Sequence, residues 1–272
     1  MPTARITPFL LPFVLLTLAA APEEGHPPIH VNHPALKQMA WQLAAQAATF
    51  RDRTTFDMID LLHSLDFHHI ELAPGQTLSA DRAGVQVSHQ MAAADVDALL
   101  AKLKAAKLDI VSYGPVELKD EADAKAAFDF AKKLKAKNLV ITQSAAVPID
   151  VLEKLANEAN VKAALLASDT AAIQQSPKDD SPHVGVCVEI DGAKNAAAAA
   201  DAIKQLGTRV IELHLSNVGP DVAPVLQQLK DKGWKGITAV QDSTPDASER
   251  LNRFIASVNQ FSDLLADVAG VK

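Results

Sequence analysis

Polar side chains close a series of apolar runs in this chain, and they are of the types that move protons or bind hydroxyl groups. Glu71 lies in "HHIELA", Tyr113 in "LDIVSYG", Gln143 in "NLVITQS" and Ser168 at the end of "VKAALLAS". Glu189 lies in "HVGVCVEID", His214 in "RVIELHLS" and Gln241 at the end of "GITAVQ". Carboxylates and imidazoles exchange protons near neutral pH, whereas an amide does not. Amides, hydroxyls and phenols are hydrogen-bonding groups suited to sugars and polyols. Glu189 and His214 are therefore the residues expected to act as acid and base. Trp41, Gln42, Glu71, Tyr113, Gln143, Ser168, Lys194 and Gln241 are expected to bind substrate around them.

These runs are short, rich in Val, Ile and Leu, and bounded by polar residues or Gly, which is the pattern of buried strands. An eighth, "MAWQLAAQA", starts at Met39. The other seven are residues 68–73, 108–114, 138–144, 161–168, 183–191, 209–216 and 236–241. Between them lie stretches with apolar residues at three- and four-residue spacing, such as "DVDALLAKLKAAK", "EADAKAAFDFAKKLKA" and "DVAPVLQQLKDKG". The alanine run at 197–200 reads as helix because Ala has the highest helix propensity. Gly207 and Gly233 stand where helix C-caps belong. Eight strands alternating with helices predict an α/β fold, a closed parallel (β/α)8 barrel in preference to an open doubly wound sheet. The barrel's active site lies at the C-terminal ends of its strands, where the polar residues above cluster.

The first residues, "MPTARITPFLLPFVLLTLAAAPEEG", combine Arg5, an apolar run and small residues, the pattern of a secretory signal peptide. Residues 1–21 are read as that signal, 22–38 as a Pro-rich leader carrying His26, His30 and His33, and 39–272 as the barrel. The mature chain is then expected in the periplasm or outside the cell, with no membrane span. The leader histidines are read as solvated rather than metal-binding. Cys187 is the only cysteine, so no disulfide forms within the chain. Aromatic residues make up 4%, which leaves Ala, Val, Leu and Ile to build the core. The formal charge is 26 − 33 = −7, and −8 once Arg5 leaves with the signal. With no basic run, the chain is a poor nucleic-acid binder.

The segments "SLDFHHIEL", "LDIVSYG", "AFDFAKKLKAKNLVI", "LEKLANEANVKAAL", "GVCVEID", "VIELHLSN" and "LKDKGWKGITAVQ" resemble, in order and spacing, the sugar phosphate isomerase/epimerase family with its xylose isomerase-like barrel. The resemblance spans roughly residues 41–261. It implies a divalent Mn or Mg ion held by Glu, Asp, His and Glu from strands 4, 6, 7 and 8, with two carboxylates passing a proton between adjacent sugar carbons. Carried onto this sequence, those positions read Gln143, Glu189, His214 and Gln241. One carboxylate remains where three are expected. Hard divalent cations are held mainly by anionic oxygen, so metal affinity is expected to be weak or lost. The loops after strands 7 and 8, "SNVGPDVAP" and "QDSTPDASER", hold one Gly and little positive charge, which favours a neutral sugar or polyol over a phosphorylated one. The expectation is an exported barrel that binds such a ligand with weak or lost isomerase/epimerase activity. Two alternatives stand beside it: an active isomerase using Glu189 and His214, and a non-catalytic, partner-binding envelope protein. Enzymatic activity and oligomeric state stay open.

Overall fold

A computed structural model describes residues 26–142, 146–168 and 181–271. The signal-like segment and Gln143 lie outside the described residues. Eight strands form one closed parallel barrel: β1 (Gln42–Gln46), β2 (His69–Leu72), β3 (Asp109–Val116), β4 (Asn138–Thr142), β5 (Lys162–Ala167), β6 (Val184–Asp191), β7 (Val210–Ser216) and β8 (Ile237–Val240). Each pairs with its chain neighbour, and β1 closes on β8 with Ala44 opposite Ala239. The fold class is therefore the one expected, an α/β (β/α)8 barrel.

The described α-helices are α1 (His33–Met39), α2 (Thr55–Ser64), α3 (Ala93–Ala106), α4 (Glu121–Lys133), α5 (Ile149–Ala159), α6 (Ala196–Leu206), α7 (Ala223–Asp231) and α8 (Ala247–Ala269). Local chemistry sets their ends. Thr54, Asp120 and Asp246 cap α2, α4 and α8 by accepting backbone N–H bonds from Asp57, Asp123 and Glu249. Gly207 caps α6 at φ +63°, a left-handed conformation that costs glycine little.

The main core lies between the barrel and the helices. Strand residues such as Leu72, Leu139, Val188 and Leu215 pack there against Leu99, Phe128, Ile203, Phe254 and Phe261 of the helices. The lumen is filled by small clusters, Ala44, Val111, Ile237 and Ala239 in one and Val140, Ala164 and Cys187 in another. Low aromatic content suits such a lumen, because a barrel interior admits mainly small and branched side chains.

Two features differ from the sequence expectation. The Pro-rich leader folds as α1 over His33–Met39, with Asn32 as N-cap and Pro at the start, and it buries Ala35 and Leu36 near α8. The first strand accordingly begins at Gln42, after Ala40 has turned the chain in a left-handed conformation. Trp41 thus sits below the barrel, where its Nε1 donates to the Trp234 carbonyl at 2.7 Å and its ring meets the Trp234 ring edge-on.

Candidate functional site

Parallel register assembles a polar cluster across the barrel. Gln46 stands opposite Glu71, Glu71 opposite Ser112, and Ser112 opposite Asn138. On the far wall Cys187 stands opposite Glu212, and Glu189 opposite His214. Period-two alternation sends Glu212 and His214 of β7 to the same face.

The deepest groups are fully enclosed. His214 is 1% exposed, and Glu71 and Glu212 are 0% exposed. His214 Nε2 lies 2.9 Å from Glu71 Oε2, a buried ion pair. The Gln46 amide lies 3.2 Å from His214 Nδ1. A half-turn of that amide presents oxygen in place of nitrogen, which a protonated ring requires. Glu212 Oε1 lies 2.7 Å from Ser112 Oγ, and its Oε2 accepts from Asn138 Nδ2 at 2.8 Å. Glu71 Oε1, Glu71 Oε2 and His214 Nε2 have no hydrogen-bond partner among the described residues, so the pair is a close charge contact and not an aligned hydrogen bond.

Burial and neighbouring charge set the protonation of this cluster. Burial, reinforced by the Glu71 charge, pushes Glu212 up to about 8, so it keeps its proton at neutral pH. For His214, burial pulls downward while the neighbouring Glu71 carboxylate pulls upward, and the ring ends well above the usual histidine value. Burial pushes the Cys187 thiol up to about 12, so that thiol is neutral near pH 7.

Above this cluster, at the C-terminal mouth, Glu189 is half-buried and its Oε1 accepts from Gln241 Nε2 at 2.9 Å. Asn195 Nδ2 donates to the Glu189 carbonyl at 3.2 Å. The exposed Lys194 ammonium lies 2.8 Å from Asp191 Oδ2. Burial disfavours the Asp191 charge, but bonds from Lys194, Asn217 and the Ala193 N–H outweigh it and hold this carboxyl below the usual range. Gly192 lets β6 and β7 meet here: a Cβ on it would lie 2.4 Å from the Asn217 carbonyl. Ser168 is exposed just past the end of β5.

Several expected site residues stand elsewhere. Gln42 starts β1, so it lies at the opposite end of the barrel, where it contacts His69 and Lys137. Trp41 precedes it and is part of the floor, as described above. Neither borders the mouth. Tyr113 points outward: its ring packs on Phe130 of α4, and its hydroxyl lies 3.4 Å from His89 Nδ1. A register shift between β2 and β3 makes Ser112, rather than Tyr113, the lumen partner of Glu71. Glu71 and His214 do come together, but beneath the mouth. Gln46, Ser112, Asn138 and Glu212 are functional-cluster residues that sequence reading missed. Glu212 carried a signal, lying two residues before His214 on the same strand.

Asp242 was also missed. It follows β8, is 4% exposed, and lies 3.2 Å from Arg253 Nε of α8. Its Oδ1 accepts from the Thr244 N–H at 2.8 Å. A carboxylate therefore does follow strand 8, one residue beyond Gln241, but it is committed to α8 and not to the mouth.

The mouth does not fit a hard divalent cation. Among the described residues, Glu189 is bound to an amide, Asp191 is paired with Lys194, and His214 is engaged below. Glu71, Glu212 and His214 could hold an ion, since their ligand atoms lie within 4.8 Å of one another. A cation there would have to displace the protons that Glu212 and His214 each hold.

Comparison with solved structures identifies the architecture. An uncharacterized protein from Parabacteroides distasonis matches with a TM-score of 0.67 at 17% identity, covering 82% of this chain and all of that one. A xylose isomerase domain containing protein from Salmonella typhimurium matches at 0.55 and 15%, covering 82% and 97%. The fold is the xylose isomerase-like (β/α)8 barrel. An L-ribulose 3-epimerase matches at 0.57 and 12%, covering 85% of this chain and 97% of its own. No protein-family model and no curated protein matches the chain.

Proposed function

We propose that this xylose isomerase-like barrel is an exported member of the sugar phosphate isomerase/epimerase family that binds a neutral sugar or polyol at its C-terminal mouth, with metal-dependent proton transfer weak or lost. One observation carries the reading. His214, the metal ligand that the resemblance retains, is sealed beneath the mouth against Glu71 and Gln46. Turnover through Glu189 and His214 would need both groups to reach the same sugar carbon region. Glu189 is instead bonded to Gln241, and His214 has no open face. Mn or Mg is held weakly.

What remains at the mouth suits hydroxyl recognition. Glu189 and Gln241 offer paired acceptors and donors, and Ser168 and Lys194 stand on adjacent loops. The experiment is a thermal-shift panel of neutral sugars and polyols on the mature chain. A ligand present at about 100 times its Kd stabilises by about 2.7 kcal/mol, which for a domain of this size raises the melting temperature by about 5–11 °C. The same ligand should give no shift with a Glu189→Ala, Gln241→Ala variant. A flat response across a broad panel sinks the sugar-binding reading.

A further inference from the structure

The end of the barrel opposite the mouth is strongly basic, although the chain as a whole is acidic. A groove of about 600 Å³ opens between the starts of β1 and β4 to β8. Lys137, Lys162, Lys232 and Lys235 border it, with no carboxylate among its described lining residues. A second groove of about 800 Å³ adjoins it, sharing Gln42 and Lys137. This one adds Lys104, Lys107, Lys133 and Lys135, with Asp109 in its lining and Asp97 paired to Lys133 at 3.4 Å. All of these lysines are exposed. Helix geometry accounts for only part of the set. Lys104 and Lys133 lie in the last turns of α3 and α4, where cations complement the helix dipole. Lys135, Lys137, Lys162 and Lys235 lie past the helix ends, in loops or at strand starts.

We infer that these joined lysine-lined grooves form a second binding site, independent of the mouth, for a linear acidic polysaccharide. A row of like charges with few counter-charges attracts a polyanion. The shape is a concave track rather than a plane, which fits a chain better than a bilayer. Ile149 is the one exposed large hydrophobic residue among the described residues, and it lies at the other end of the barrel, at the start of α5. Among the described residues the basic face therefore has no exposed large apolar side chain to insert into lipid. Single-stranded nucleic acid requires aromatic faces for stacking. Trp234, the aromatic residue of the groove, is 8% exposed and packed edge-on with Trp41. The neutral groups between the lysines, Gln42, Asn160 and Thr208, are amides and a hydroxyl, which pair with sugar hydroxyls.

The test is fluorescence anisotropy of an end-labelled galacturonic acid oligomer with the full mature chain at low salt. Binding is expected, with affinity falling as salt rises and no binding of uncharged dextran. The variant Lys135→Gln, Lys162→Gln, Lys235→Gln alters only exposed positions past the helix ends and should keep the parent melting temperature while weakening binding by about tenfold or more. A mouth ligand should not compete, so this result is separable from the sugar-binding test. Equal binding by parent and variant would overturn the inference. So would tighter retention of DNA or of phosphatidylglycerol vesicles than of the oligomer in the same assay.

Discussion

Replacing Glu71 with Ala is expected to destabilise the barrel by about 3–5 kcal/mol, the cost of breaking one side of a buried ion pair. At this chain length that lowers the melting temperature by about 6–20 °C. The reason is the enclosure of the pair. His214 and Glu71 are 2.9 Å apart at 1% and 0% exposure. Without Glu71, the His214 ring must either stay charged with no anion or shed its proton, and both lose the favourable interaction. Replacing both residues with apolar side chains of similar volume should recover most of the loss, because the desolvation cost of both charges then disappears. Lys125→Ala, which breaks the exposed pair between Lys125 and Asp129, serves as the control and should leave the melting temperature unchanged. Thermal denaturation of the single and double variants reads the coupling directly. A Glu71→Ala variant as stable as its parent would contradict the charged pair.

Stability is expected to fall as pH rises from about 5 to above 8, and Glu212 is expected to cause much of the slope. Its carboxyl is raised from 4.5 to about 8 in the folded chain, by burial first and by Glu71 second. Between those values the unfolded chain has lost this proton and the folded chain retains it. Raising the pH through that window therefore favours unfolding, with a slope approaching about 1.4 kcal/mol per pH unit. His214 acts in the same direction. Its raised value gives a contribution that is full below about 6.5 and lost as pH climbs through the folded value. Glu212→Gln cannot titrate, and both Asn138 and Ser112 can rotate to meet its amide. The difference between parent and variant melting curves across pH cancels the other titrating groups. A parent and variant with parallel curves would mean that Glu212 is ionised in the folded chain.

The barrel was readable in the sequence because strand and helix carry separate periods and the helix caps were visible. The site was less so, for three physical reasons. First, α1 hid in a segment whose prolines read as a linker, although Asn32 and Pro34 are also a helix start signal. That displaced the first strand and put Trp41 and Gln42 at the mouth instead of the floor. Second, the register shift between Ile70 and Glu71 changes which β3 residue faces the lumen, and no local pattern announces it. Tyr113 was therefore assigned inward, and Ser112 was overlooked. Third, strand ends alone do not give depth. Glu71 and His214 were read as part of an open ring, but their layer lies below Glu189 and Gln241, where they meet Glu212 instead of solvent.

The central claim is that the mouth binds a sugar or polyol without a metal. Isothermal titration of the best ligand from the thermal panel, first in EDTA and then with Mn²⁺, tests it most directly. The predicted result is the same affinity in both, with no Mn²⁺ binding tighter than about millimolar in the absence of ligand. Sugar binding that vanishes in EDTA and returns with Mn²⁺ would show a working metal centre and contradict the account.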